Sequence, residues 1–140
     1  MKLIPFLNFT GTAHEAMAFY AQVLGGTVTS ELLYRDMPPM DGAEGCADMP
    51  PATLDHVAHS QLEVGAACLM AADGPPMPDQ GSTTINIEVD TVADAERIFA
   101  ALGEGGEVRM PMTETFWAQR WGFLIDRYGK PWMVNCMKPA

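Results

Sequence analysis

One apolar helix face occurs twice in this chain, at a constant offset of 79 residues. Ala16, Phe19, Tyr20 and Val23, continued by Leu24, recur at the spacing of one side of a helix. Ala95, Ile98, Phe99 and Leu102 repeat the first four. The same offset carries a helix start: Thr12 with Glu15, then Thr91 with Asp94, both of the [ST]-x-x-[DE] form. Each helix runs into a glycine stop, Leu24-Gly25-Gly26 or Leu102-Gly103 with Gly105-Gly106. A strand-like run precedes each, Leu3–Phe9 and Thr83–Val89. Three more follow each: Thr27–Arg35, His56–Val64 and Ala66–Ala72, then Glu107–Met112, Gln119–Asp126 and Pro131–Met137. The pattern predicts a duplicated βαβββ unit.

The fold class expected is therefore α+β. Two βαβββ units would form a cupped mixed sheet around a cleft, with the helices outside. The chain reads as one domain, with units of about 1–73 and 82–138 joined by a link at 74–81. A second break in symmetry is residues 36–55, which hold Pro38-Pro39 and Pro50-Pro51 and read as a long inserted loop. Met37, Met40, Met49 and Met77 lie in these Pro-rich segments, where flexible apolar side chains either line an adaptable surface or merely fill a loop.

Charge excludes several functions. The net charge is −10, and Asp36 through Glu96 holds twelve acids with no Lys or Arg. Such a chain lacks the basic stripe needed to neutralise nucleic-acid phosphates, and anionic membranes repel it. No apolar run has the ~18–20 residues of a spanning helix, and the N-terminus does not read as a signal peptide. A cytoplasmic protein is expected. Cys46, Cys68 and Cys136 are odd in number and widely spaced, so they read as free thiols rather than a disulfide or zinc framework. Most of the acids fall in the loop, the link and the second helix start, where they favour solubility and the helix dipole.

Strand alternation assigns the side chains to faces. Ile85, Ile87 and Val89 suit the helix side; Thr84, Asn86 and Glu88 suit the other. Ala58, Ser60, Leu62 and Val64 suit the helix side; Val57, His59, Gln61 and Glu63 face away. Carrying the 79 offset into the first strand puts Pro5, Leu7 and Phe9 opposite the helix. The expected cleft would then have one apolar wall (Leu7, Phe9) and a second bearing His59, Gln61, Thr84 and Asn86. That mixture suits a small organic ligand. His59 can act there as a general base, or be a strand histidine satisfied by a neighbour.

The last third is dense in chemistry. Trp117 and Trp121 flank Arg120, an arrangement that can cradle an anionic group, or simply plug a core and form a salt bridge to Glu114 or Asp126. Glu114 is a candidate base if buried beside Trp117. Arg127-Tyr128-Gly129-Lys130 reads as a hairpin turn. No nucleophile elbow, catalytic triad order or P-loop occurs.

Three segments carry a family resemblance: IPFLNFTGTAHEAMAFYAQVLGG, VAHSQLEVG and PMTETFWAQRWGFLIDRYGKPWMVN. They resemble the PhnB-like branch of the glyoxalase/bleomycin-resistance/dioxygenase (vicinal oxygen chelate) superfamily, over nearly the whole chain. Members of this branch are often labelled 3-demethylubiquinone methyltransferase-like. The resemblance implies the duplicated βαβββ fold, a homodimer, and one divalent metal held by the first and fourth strand of each unit. Those positions here are Pro5, Thr84, Met70 and Met133, none a usual ligand for a hard divalent ion. The expected protein thus uses no metal or other cofactor, and Met133 is read as a ligand-binding residue instead. Methyltransferase chemistry is not expected, because no Gly-rich turn follows a first strand.

The function expected is the binding of a small organic molecule, with His59 and Glu114 as candidate catalytic groups. Leu7, Phe9, Gln61, Thr84, Asn86, Trp117, Arg120 and Met133 are candidate ligand contacts. Two alternatives are a glyoxalase-like lyase or dioxygenase, and a dimeric interaction protein with a vestigial cleft.

Overall fold

A computed structural model of the chain describes residues 1–38, 51–78 and 81–140. Cys46, Met40, Met49 and most of the predicted inserted loop lie outside the described residues. The chain divides into two units, Met1–Met77 and Pro78–Ala140. The boundary falls inside the link read from the sequence. No helix among the described residues is long and apolar enough to cross a membrane.

The first unit runs β1 (Phe6–Phe9), α1 (Ala13–Leu24), β2 (Thr27–Leu33), β3 (Val57–Val64) and β4 (Ala67–Asp73). Short 3-10 turns, Tyr34–Asp36 and Pro51–Thr53, stand between β2 and β3. The sheet order is β1-β4-β3-β2, with β1 parallel to β4 and the other pairs antiparallel. The second unit runs β5 (Ile85–Glu88), α2 (Val92–Gly103), β6 (Glu107–Thr113), β7 (Ala118–Ile125) and β8 (Pro131–Met137). Its order, β5-β8-β7-β6, repeats the first with the same parallel pair. The α+β class and the duplicated βαβββ unit are as the repeat predicts.

α2 buries the face its spacing marks out, Ala95, Ile98, Phe99 and Leu102. α1 buries Ala16, Tyr20 and Val23 of its expected face, with Ala13 and Met17 completing the stripe and Phe19 and Leu24 only half-buried. Full burial of a large apolar side chain is worth roughly 1.5–3 kcal/mol, so these stripes hold the helices on their sheets. Gly122 in β7 permits close approach on the α2 side. A Cβ there would lie 2.6 Å from Phe99 Cε2 and 2.7 Å from Met112 Sδ. Gly25 ends α1 in the left-handed region, at φ 71°, where a side chain is disfavoured.

The two helix starts differ. Thr91 caps α2 as its motif predicts, its hydroxyl oxygen accepting from Asp94 N at 3.1 Å. Thr12 makes no such bond. Buried Asp73, at the end of β4, takes its place: Oδ1 accepts from Gly11 N at 2.8 Å and Ala13 N at 3.0 Å. Its Oδ2 accepts from Val57 N at 2.9 Å, and its backbone oxygen accepts from the Tyr34 hydroxyl at 2.6 Å. One carboxylate thus ties the α1 start, the β3 start and the end of β4 together.

The sheet register corrects the predicted faces of β1. Leu7 stands opposite Ala71, which stands opposite Ser60, and both of these are buried. Residues in register share a face. Leu7 and Phe9 therefore lie on the α1 side with Leu62, Leu69 and Ala71, and Phe6 and Asn8 face away. The helices repeat at 79, Ala13 to Val92. The strands correspond at an even spacing, because Leu7 in β1 and Ile85 in β5 share the helix side. A one-residue difference between strand and helix inverts every side chain of a strand.

Candidate functional site

Both sheets present a face turned away from their helix, and most of the predicted site residues stand on these two faces. In the first unit, β3 places His59 and Gln61 there. His59 is half-buried and its ring centroid lies 6.2 Å from that of Phe6, tilted by 56°. Leu32 of β2 stands opposite His59. Gln61 stands opposite Met70, which stands opposite Phe6, so the three form a row across β3, β4 and β1. Gln61 Nε2 donates to Glu63 Oε1 at 3.3 Å. Leu7 and Phe9 are absent from this face; Phe6, Asn8 and Met70 occupy it. The sequence signal was Asn8 itself, a polar residue between two apolar ones, which marks the outward side of β1.

In the second unit, Asn86 and Met133 stand side by side on β5 and β8, and Phe123 of β7 completes their row. Thr84 immediately precedes β5 and is half-buried. The next row is Glu88, Asn135 and Trp121. Asn135 is 6% exposed. Its Oδ1 is buried with no hydrogen-bond partner, while Nδ2 donates to Met137 Sδ at 2.9 Å. Trp117 packs edge-on to both Trp121 and Phe116, with ring centroids 5.8 Å and 4.8 Å apart. Phe116 is 90% exposed. Asn135 was not singled out, and Trp121 only as a flank of Arg120, because only the register across β7 and β8 shows the two sharing a face with Asn86.

Two candidates are corrected. Arg120 points to the α2 side, where its Nε lies 3.2 Å from Glu96 Oε1. Its NH1 donates to the Gln119 backbone oxygen at 2.9 Å. It alternates with Gly122, where an added Cβ would meet Phe99, so it is on the wrong side to sit between the tryptophans. The salt bridge is real, with Glu96 in place of Glu114 or Asp126. Glu114 is exposed and paired with Lys138, Oε1 to Nζ at 2.9 Å. The Lys138 hydrogen bond, with its positive charge, holds the carboxyl below the ordinary carboxylate range. A base needs the opposite shift, toward neutrality.

Asp126 is also buried but acts within the β7–β8 turn. Oδ1 accepts from Tyr128 N at 2.8 Å and Lys130 N at 2.9 Å, and Oδ2 from Trp132 Nε1 at 2.8 Å. Trp132 is thereby a core residue with its indole satisfied.

The donors at the four positions suggested for a metal do not suit a hard divalent ion. Pro5 has the parity of Leu7 and Phe9 and not of the outward face; Phe6, which stands opposite Met70 there, has no side-chain donor, and Thr84 has a neutral hydroxyl. Met70 and Met133 offer thioethers, which are soft ligands. Among the described residues, no group of three or more His, Cys, Asp or Glu could hold a metal ion.

Comparison with known proteins follows this geometry. The family described as the Glyoxalase/Bleomycin resistance protein/Dioxygenase superfamily matches residues 2–134. Protein YjdN of Escherichia coli strain K12 is 30% identical over 142 residues, spanning 99% of this chain and 97% of YjdN. The crystal structure of protein PA1353 from Pseudomonas aeruginosa is 39% identical, with a TM-score of 0.86 and 99% of each chain covered. A Bacillus cereus PhnB protein, described as a putative 3-demethylubiquinone-9 3-methyltransferase, shares the fold at 21% identity. Its TM-score is 0.77, covering 97% of this chain and 99% of that one. The family model and YjdN bear out the superfamily read from the sequence, and the Bacillus cereus protein shares its fold.

Proposed function

This chain belongs to the glyoxalase/bleomycin resistance protein/dioxygenase superfamily, and from that membership we propose that it binds a small organic molecule without a divalent metal. The contacts come from the sheet faces turned away from α1 and α2. The observation that carries this reading is the make-up of those faces. In the first unit His59 and Gln61 share their face with Phe6 and Met70, and in the second Asn86 and Asn135 share theirs with Phe123, Trp121 and Met133; Met70 and Met133 are thioethers where the resemblance implies metal ligands. A few polar groups on an apolar ground orient an organic ligand.

Methyl transfer is not part of this reading. β1 leads into α1 through Thr10, Gly11 and Thr12, and Gly103 ends α2 with Gly105 and Gly106 just after it. Neither segment has the Gly-rich strand-to-helix turn that usually receives a nucleotide-like cofactor. We assign the protein a homodimeric state and a cytoplasmic location, by analogy with the superfamily.

Elemental analysis of protein purified without chelator tests the metal. A content well below one ion per chain is expected; stoichiometric Ni, Zn, Fe or Mn would overturn the metal-free reading. A thermal-shift screen against small carbonyl compounds, phosphonates and aromatic antibiotics tests the binding. At least one class should raise Tm in the native protein and fail to do so in His59→Ala. Equal ligand shifts in both proteins would remove His59 from the site. Sedimentation velocity reads the oligomeric state, with a single dimer boundary expected.

A further inference from the structure

The row Trp121, Asn135 and Glu88 carries a charge preference. β8 lies between β7 and β5, so this row crosses three adjacent strands in register on one face. At about 4.8 Å between strands, its ends lie about 10 Å apart. One end is aromatic: Trp121, extended by the Trp117 ring. The centre is an unpartnered acceptor, Asn135 Oδ1, on a side chain more than nine-tenths buried. The far end is Glu88, an exposed carboxylate.

A buried carbonyl oxygen left unpaired is costly, so a ligand N–H or O–H that satisfies it gains affinity. The amide can turn to meet one. Its Nδ2 is held by a thioether, a weak acceptor, on Met137, which is itself 41% exposed. The cation that the sequence sets beside Trp117 and Trp121 is Arg120, and it is directed to Glu96 on the opposite face. Lys138, the other cation near this end of the sheet, is paired with Glu114.

We propose that this row selects a planar aromatic ligand carrying a protonated amine or amidinium, its ring against Trp121 and Trp117, its N–H donors on Asn135 Oδ1, and its positive charge at Glu88. This rests on the small-molecule reading above and names the ligand class.

Two planar probes of opposite charge test it. Proflavine is a cationic diaminoacridine; anthracene-9-carboxylate is a flat anion of similar size. Quenching of tryptophan fluorescence reads both. Proflavine should bind saturably and at least about tenfold tighter than the anion, a difference of about 1.4 kcal/mol. Glu88→Gln should weaken it about three- to fivefold, the size of one partly exposed ion pair, and Glu88→Lys should weaken it further. Glu15→Gln, which removes a charge on α1, should leave the affinity unchanged and so controls for the general acidity of the chain. Asn135→Leu should lower proflavine affinity while leaving Tm unchanged or higher, since it removes a buried unpaired oxygen at similar volume. If that variant fails to fold, the exposed Glu88 variants decide. Anthracene-9-carboxylate binding as tightly as proflavine, or Glu88→Gln within twofold of the native affinity, overturns the assignment. If the thermal-shift screen yields ligands but cationic aromatics do not bind, this inference fails alone. If neither the screen nor either probe binds, the small-molecule reading fails with it.

Discussion

Replacing Asp73 separates two roles that one carboxylate plays in the first unit. The side chain is 3% exposed and accepts three backbone N–H groups, from Gly11 and Ala13 on Oδ1 and from Val57 on Oδ2. Ala13 and Val57 are themselves buried, so water does not readily replace the lost acceptor. In Asp73→Asn, the amide oxygen keeps the Gly11 and Ala13 bonds. Its NH2 then faces Val57 N–H, donor against donor. One lost charge-assisted bond with an orphaned donor costs roughly 2–3 kcal/mol. Asp73→Ala removes both acceptor oxygens and all three bonds and should cost roughly 4–5 kcal/mol, a large share of the about 5–15 kcal/mol typical of a domain.

Urea denaturation followed by far-UV circular dichroism measures both losses. Trp117, Trp121 and Trp132 all lie in the second unit, so tryptophan fluorescence reports that unit separately. Amide hydrogen exchange adds site resolution: Val57 N–H should lose protection in both variants, Gly11 and Ala13 chiefly in Asp73→Ala. An Asn variant as stable as the native protein, or as unstable as the Ala variant, would refute the division of labour between the two oxygens.

Three further outcomes follow from other contacts. Gly122→Ala should destabilise the protein by roughly 1–3 kcal/mol, because its methyl would press into Phe99 and Met112; an unchanged urea midpoint would contradict that packing. The Glu114 carboxyl should titrate below 4.5 by NMR and move back up in Lys138→Met. The folded-state value is depressed, so the stability this pair adds is present above the unfolded value and is lost as pH falls through the folded one. Glu114→Gln should therefore leave ligand binding near pH 7 unaffected. Arg120→Ala should change stability by no more than about 1 kcal/mol, as an exposed pair does, and should not weaken the binding of anionic ligands.

Elements whose signal is local were legible in the sequence. The Ala16–Val23 and Ala95–Leu102 stripes marked both helices, and Gly25 and Thr91 marked where one stops and the other starts. The strands fell within a few residues of their runs. β1 is the instructive failure. Its run was found, but its faces were inverted, because the helices carried the repeat and the strand followed a different parity. Thr12 failed for a related reason: a motif predicts a cap, and a residue sixty positions away supplied a better one, Asp73.

The candidate site divides in the same way. His59, Gln61 and Asn86 were placed on the outward faces by the alternation of their own strands, while Met133 came from the family resemblance. Arg120 was read as a cradle because it sits between two tryptophans in the chain, yet alternation along β7, with a bulge near Ala118, sends it to the helix side and to Glu96. By itself, the sequence determined the duplicated βαβββ architecture and the family, since each depends on residue type and spacing along the chain. Tertiary structure alone decided which face of β1 looks outward, which acid each base meets, and that Trp121, Asn135 and Glu88 form one row. Those depend on register between strands distant in sequence, where a shift of one residue turns a side chain to the other side of the sheet.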